Sequence, residues 1–373
     1  MTDKTSVLIV GGGLAGLHAA DLLREQDIAF ELWETRDRLG GRILSPPVGD
    51  QGAGVVDLGP SWIWPGFQPE IARLVDRLGL RLFPQHIDGA AVFEDVDGRL
   101  SRFPSRASEP RSFRVDGGLR AVIDALAATL PAPAITTSTR LLHLERRGDG
   151  VLASGERRRG DDAQPVEPIE PVEILAEHVV LALPPRLAAR RLTFEPALDP
   201  SVIQTWQRVP TWMAGHAKLQ VAYDEPLWRH KGFSGQAFSR RGPMAEIHDA
   251  GGPDGGPPFS LFGFFALSAM ERKAAGRTLV EESIFQLDRL FGPGLLEPRR
   301  ILFKDWSDDP DTATEDDFAP LTSHPVYGLP AVADPVLDGR VHLASTEISV
   351  RNGGYLEGAL EGARAAVGRI VAS

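Results

Sequence analysis

The feature that most constrains this chain lies within its first 34 residues. A continuous apolar, β-branched run at residues 6–10 (SVLIV) leads straight into Gly11-Gly12-Gly13-Leu14-Ala15-Gly16. Such a run reads as a buried parallel strand. The next segment, LHAADLLREQ, has helical apolar spacing, and a second strand at residues 29–33 ends on Glu34. In a strand–turn–helix of this kind Gly11 permits the tight turn, Gly13 lets a pyrophosphate approach the backbone, and Gly16 lets helix and strand pack closely. The helix N-terminus, at Leu14 and Ala15, offers free N–H groups and a positive dipole end to phosphate. Glu34 follows Gly11 at the distance expected of an acid that accepts hydrogen bonds from a ribose diol. A glycine triplet alone is a weak signal, but here strand, helix, second strand and terminal acid occur in order. They predict a dinucleotide-binding unit.

Composition narrows the rest. The 373 residues include 51 acidic and 40 basic side chains, a net charge of −11, which disfavours nucleic acid and mildly favours cationic small molecules. Without cysteine, disulfides, thiolate metal sites, cysteine nucleophiles and a cysteinyl link to a cofactor are excluded. The nine histidines are scattered, and no metal-ligand spacing is visible. No run of eighteen apolar residues suggests a membrane span, and MTDKTSVLIV lacks the features of a secretory signal. The cytosol is the default expectation, as a monomer or homodimer.

Past the acid the chain reads Glu34-Thr35-Arg36-Asp37-Arg38-Leu39-Gly40-Gly41-Arg42. A nicotinamide enzyme has no need of this second glycine pair and its arginine. They provide another close backbone approach and a cation for phosphate or flavin. Gly59-Pro60-Ser61-Trp62 offers a further close-approach turn.

On these segments the chain resembles the flavin-containing amine oxidases, the group that includes monoamine and polyamine oxidases. The segments are VLIVGGGLAGLHAADLL, WETRDRLGGRI, DLGPSWIWP, VDGGLRAVIDALA, AEHVVLALPP, AKLQVAYDEPLW, DWSDDP and HLASTEISVRNGGYLEGALEGARAAV, in family order along nearly the whole chain. The resemblance implies an α/β fold: a Rossmann-like FAD-binding domain (residues 1–60, 115–208 and 336–373) and a discontinuous substrate domain of mixed sheet plus helices (61–114 and 209–335). It implies FAD held non-covalently, a small amine or amino acid as substrate, and O2 as acceptor giving hydrogen peroxide. A carbon–carbon desaturase of the protoporphyrinogen oxidase kind, or a non-catalytic flavin-binding protein, are the alternatives. The chain is shorter than typical members, with the deficit expected between Pro60 and Asp116.

Elsewhere helices are predicted at residues 68–78, 118–130 and 278–291, and strands at 90–96, 98–103, 135, 141–146, 151–153, 179–183, 217–223 and 260–266. Residues 155–172, charged and Pro-rich, read as an exposed hairpin excursion, 251–258 as a loop, and 308–317 as a solvated acidic turn.

Candidate chemistry follows from the resemblance. It places Lys218, in the strand AKLQVAY, at a water beside flavin N5, where a cation could steer oxygen reduction. Tyr355, at the mouth of the last helix with Gly354 and Leu356, would form one wall of an aromatic cage for the amine, and Tyr327 the second. Trp306 resembles the family tryptophan packed near the flavin, and Trp62 and Trp64 would line the pocket. Leu141 matches a backbone contact to adenine, and Glu347, after Ser345 and Thr346, an acid at the ribityl or pyrophosphate region. Glycine is usual where Ser345 stands, so its side chain is expected to crowd the phosphate. Arg229 or Arg102 are candidates for a substrate carboxylate, though surface placement is the expectation.

Overall fold

The computed structural model describes residues 3–49, 54–106, 109–158, 169–319, 321 and 323–373. Contacts divide the chain into two compact units. One comprises Met1–Arg42, Ile123–Trp212 and Ser323–Ser373, the other Ile43–Val122 and Met213–Thr322. The first break falls at 42/43, whereas sequence reading put it at 60/61. The physical reason is that residues 57–59 bond to strands of the second unit. Asp57 O accepts from Gln220 Nε2 (2.9 Å), Leu58 O from Trp306 Nε1 (3.1 Å) and Gly59 O from Lys218 Nζ (3.0 Å).

The first unit is built on one sheet. Its parallel half sets Asp3–Val10 between Phe30–Trp33 and the second half of the long strand Ile169–Leu181; Val341–Leu343 pairs with the end of that long strand. The first half of Ile169–Leu181 runs antiparallel to Gly150–Arg158, which in turn pairs with Thr139–Arg147. The excursion expected over 155–172 is therefore regular strand at both ends, and residues 159–168 lie outside the described residues. Alternating side chains explain this extension: Val172 packs on the core and Ile174 is buried, while Pro171 and Glu173 are exposed on the other face. Helix Leu14–Glu25 packs against Leu356–Val371.

The second unit carries a seven-stranded sheet in the order Arg300–Asp305, Ala217–Tyr223, Phe259–Phe265, Met244–Asp249, Phe233–Ser239, Ala90–Glu94, Leu100–Pro104. One face is a core of Leu219, Val221, Ala237, Ile247 and Leu261 against Leu279, Leu287, Leu290 and Phe291 of helix Thr278–Phe291. The opposite face carries Lys218, Gln220, Phe262 and His248, also buried. Strand Ala217–Tyr223 is thus buried on both sides, and its alternation separates core from site instead of core from water.

The acidic turn at 308–317 is solvated only in part: Asp308, Glu315 and Asp316 are exposed, but Asp309 and Asp317 are buried. Asp309 pairs with Lys304 (3.1 Å), and Asp317, only 5% exposed, accepts from the Thr314 backbone and hydroxyl (2.9 Å each). Asp317 and Asp309, which accepts from Asp311 N (3.1 Å), thereby satisfy backbone donors that the tight turns leave unpaired.

Candidate active site

In the first unit the glycine loop follows a strict steric logic. Gly11 has φ +110°, and a Cβ there would sit 2.6 Å from Ala182 O. A Cβ on Gly16 would overlap the Gly11 carbonyl. Gly13 differs: a Cβ would meet nothing nearer than 3.9 Å. The protein itself does not require glycine at 13, so the requirement falls on whatever approaches that backbone from outside. Gly13 is also the N-cap of helix Leu14–Glu25 and has no side-chain capping bond, leaving the first-turn N–H groups for an anion. Gly40 N donates to Gly12 O (2.8 Å), and Gly13 and Gly40 form a parallel bridge, which zips the second glycine pair onto the first loop.

Glu34, 3% exposed, is wired into this loop: Gly12 N donates to Oε2 (2.6 Å) and Arg36 N to Oε1 (2.8 Å). Thr35 between them is half-buried. Arg42 makes a two-pronged ion pair with the fully buried Glu347 (2.6 and 3.2 Å) and also donates to Trp212 O (3.3 Å). Leu141 is buried at the irregular register of Thr139–Arg147. Ser345 Oγ is buried with no hydrogen-bond partner among the described residues, while Thr346 Oγ1 donates to Tyr355 O (2.7 Å). An orphaned buried hydroxyl is costly unless something accepts from it. This orphan, the open space over Gly13 and the uncapped helix fit the diphosphate of FAD.

Tyr355 caps helix Leu356–Val371 with extended backbone, next to Gly354 at φ +82°. The ring stacked on it is His324, at 5.0 Å and 12°. Tyr327 meets His324 edge-on (5.7 Å, 83°) and donates its hydroxyl to Pro210 O (3.1 Å). Trp212 lies 4.5 Å from His324. Sequence reading missed His324 and Trp212 because each stands in irregular chain with no periodic signal.

In the second unit Lys218 is 2% exposed. Its Nζ donates to Ser61 Oγ (2.6 Å) and Gly59 O (3.0 Å) and lies 4.1 Å from the Phe262 ring centroid and 5.4 Å from that of Phe264. Burial lowers its pKa from 10.5 to about 7, with Arg114 adding to the fall and Asp57 opposing it. Asp57 in turn accepts from Ser45 Oγ (2.6 Å) and Leu119 N (3.0 Å). Pro60 is half-buried between Gly59 and Ser61. Trp62 donates to Gln85 Oε1 (2.8 Å) and packs on Trp64, His248 and Phe262. Trp306 is buried, with Lys304 Nζ 4.9 Å from its ring. Arg229 is held by both oxygens of Asp249 (2.7 Å each) and Arg102 lies over Phe233, so both arginines have structural partners. Phe262 and His248 were legible only through register, not through either strand alone.

The cradle defines a flavin-dinucleotide oxidoreductase. Residues 103–371 match the flavin containing amine oxidoreductase profile, and residues 9–78 the NAD(P)-binding Rossmann-like domain. The chain belongs to the flavin amine oxidoreductase family and is an FAD-dependent enzyme of amine oxidation. It is 27% identical to the probable flavin-containing monoamine oxidase A of Dictyostelium discoideum, over 97% of this chain and 96% of that one. It is also 27% identical to amine oxidase (flavin-containing) B of Sus scrofa, over 98% and 86%. The first alignment spans 452 positions, more than the 373 residues here, so the relative carries insertions this chain lacks. In fold it resembles cyclohexylamine oxidase from Brevibacterium oxydans (TM-score 0.78, 20% identity, 99% of each chain) and putrescine oxidase (0.75, 19%, 100% of each). Among the described residues no helix is long and apolar enough to cross a membrane.

Proposed function

We propose that this enzyme oxidises the C–N bond of a small amine to an imine, with O2 as acceptor and hydrogen peroxide as product. The observation that carries the reading is Lys218, an amine buried on a sheet face among aromatic rings, with its Nζ fixed by Ser61 and Gly59. FAD, which Gly11, Gly13 and Gly16 would help to hold, would supply the two-electron redox chemistry that couples amine oxidation to reduction of O2. The amine then needs only to bind neutral, and no strong general base is required of the chain.

In this reading Gly11, Gly13, Leu14, Ala15 and Gly16 hold the diphosphate, with Ser345 Oγ donating a further hydrogen bond to it. Glu34, Thr35 and Arg36 meet the adenine-side ribose, and Leu141 the adenine. Gly40, Gly41, Arg42, Thr346 and Glu347 complete the cradle, and Gly354 and Leu356 bring the last helix to the flavin's pyrimidine side. By the family resemblance Gly59, Pro60, Ser61, Trp62 and Trp306 would be the residues of the second unit that serve the flavin. Lys218 holds a proton at Nζ or releases it near neutral pH and stabilises negative charge that develops as O2 is reduced. Tyr355 and Tyr327 orient the amine, and His324, packed against both, sets the angle of the rings. The expected setting is the cytosol, as a monomer or homodimer.

The test is direct. Purified protein should be yellow, acid precipitation should free all its FAD, and an amine should bleach it anaerobically and yield peroxide in air. Lys218→Met should slow amine turnover or flavin reoxidation. Unchanged rates on a confirmed substrate would remove Lys218 from the mechanism, and absence of bleaching by every amine in a broad panel would overturn the reading.

A further inference from the structure

The face of the sheet that carries Lys218 also carries a carboxylate. Lys218 lies opposite Phe264, Phe264 opposite Glu246, and Glu246 opposite Phe238. Directly opposed residues point to one face, so these four form a row across four strands. Two strand spacings place Glu246 roughly 10 Å along that row from Lys218. The adjoining row holds Gln220, Phe262 and His248.

Glu246 is built as a receptor. Its Oε1 accepts from His248 Nε2 (2.6 Å), and His248 is itself fixed by edge contacts to Trp62 (4.9 Å) and Phe238 (6.3 Å). The Glu246 side chain is 42% exposed while that of His248 is 10% exposed, so the carboxylate faces outward from a buried anchor. Its Oε2 has no hydrogen bond among the described residues. Burial tends to raise its pKa, but the hydrogen bond and charge of His248 bring it below the ordinary value, and it stands ionised at neutral pH. On either side in the row are the partly exposed rings of Phe264 and Phe238. A carboxylate oxygen free to accept, flanked by aromatic rings, suits an ammonium group. An alkyl tail there would strip water from the carboxylate without replacing its hydrogen bonds, and a second carboxylate would be repelled.

We propose that Glu246, anchored by His248 and flanked by Phe264 and Phe238, receives a second ammonium group on the substrate, making the enzyme selective for diamines over monoamines. This rests on the reading of Lys218 as the residue attending the oxidised end. The experiment compares kcat/KM and anaerobic flavin bleaching for hexamethylenediamine, hexylamine and aminohexanoate. A charge-assisted hydrogen bond predicts that the wild type favours the diamine over hexylamine by roughly tenfold or more. Glu246→Gln should bring that ratio near one, and Glu246→Lys should move the preference toward aminohexanoate; bound-FAD absorbance checks that both variants fold. A wild-type ratio near one, or the same ratio in Glu246→Gln, overturns the subsite and leaves amine oxidation standing. Failure of every amine to bleach the flavin overturns amine oxidation by this chain and the subsite with it.

Discussion

Replacing Lys218 by methionine tests the electrostatics of the buried amine without reference to turnover. The unfolded chain keeps this lysine protonated up to its ordinary pKa of 10.5, whereas the folded chain releases the proton above about 7. Between those values the unfolded state binds the extra proton, so wild-type stability must rise with pH, by about 1.4 kcal/mol per pH unit. The full window is worth up to about 5 kcal/mol. Methionine does not titrate, so the wild-type-minus-variant stability difference should climb by roughly 2–3 kcal/mol between pH 7 and pH 9. A pH-independent offset comes on top, because methionine strips a donor from Gly59 O and Ser61 Oγ. Each group left unsatisfied costs about 1–3 kcal/mol. Equilibrium urea unfolding of both proteins at several pH values, at matched flavin loading, reads the difference. A difference that stays flat with pH would show that Lys218 keeps its proton in the folded state and would refute the burial argument.

Three further outcomes are expected. Ser345→Ala should leave the unfolding midpoint nearly unchanged but weaken FAD binding by about 1.5–3 kcal/mol, roughly ten- to hundredfold in Kd, measured by flavin fluorescence during reconstitution; equal affinities would mean that the orphaned hydroxyl does not meet the phosphate. Arg42→Ala, which leaves Glu347 buried and unpaired, should cost about 3–5 kcal/mol of stability in urea, and a loss below 1 kcal/mol would show that the pair is dispensable. Burial, assisted by Arg369, His178 and Arg340, lowers the pKa of His342 from 6.5 to about 3. The unfolded chain takes up that proton first, so stability should fall as pH drops from 6.5 toward 3, and His342→Gln should flatten this acid limb of a Tm-versus-pH curve.

What could be read from sequence was local and repetitive. The glycine loop declares itself because steric demands at Gly11 and Gly16 leave one residue type acceptable. Helix Thr278–Phe291 and strand Ala217–Tyr223 lie where their apolar spacing put them. What could not be read was lateral. That Glu246 lies beside Phe264, or His248 beside Phe262, depends on register between strands separated by a loop of irregular chain, and no single strand encodes its neighbour. The turn at 308–317 was legible only in part for a related reason: Asp308, Glu315 and Asp316 are exposed as carboxylates ordinarily are, but Asp309 and Asp317 serve as intramolecular acceptors. Likewise His324 reaches Tyr355 through a chain reversal that leaves no pattern behind.

The first unit gathers its sheet and helices from three stretches of chain, with strand Val341–Leu343 and helix Leu356–Val371 supplied by the last. A ribosome delivers those pieces more than three hundred residues after the glycine loop has emerged. The nascent protein therefore has no finished berth for its nucleotide until that strand and helix have been made, and a chain halted before residue 341 would lack both.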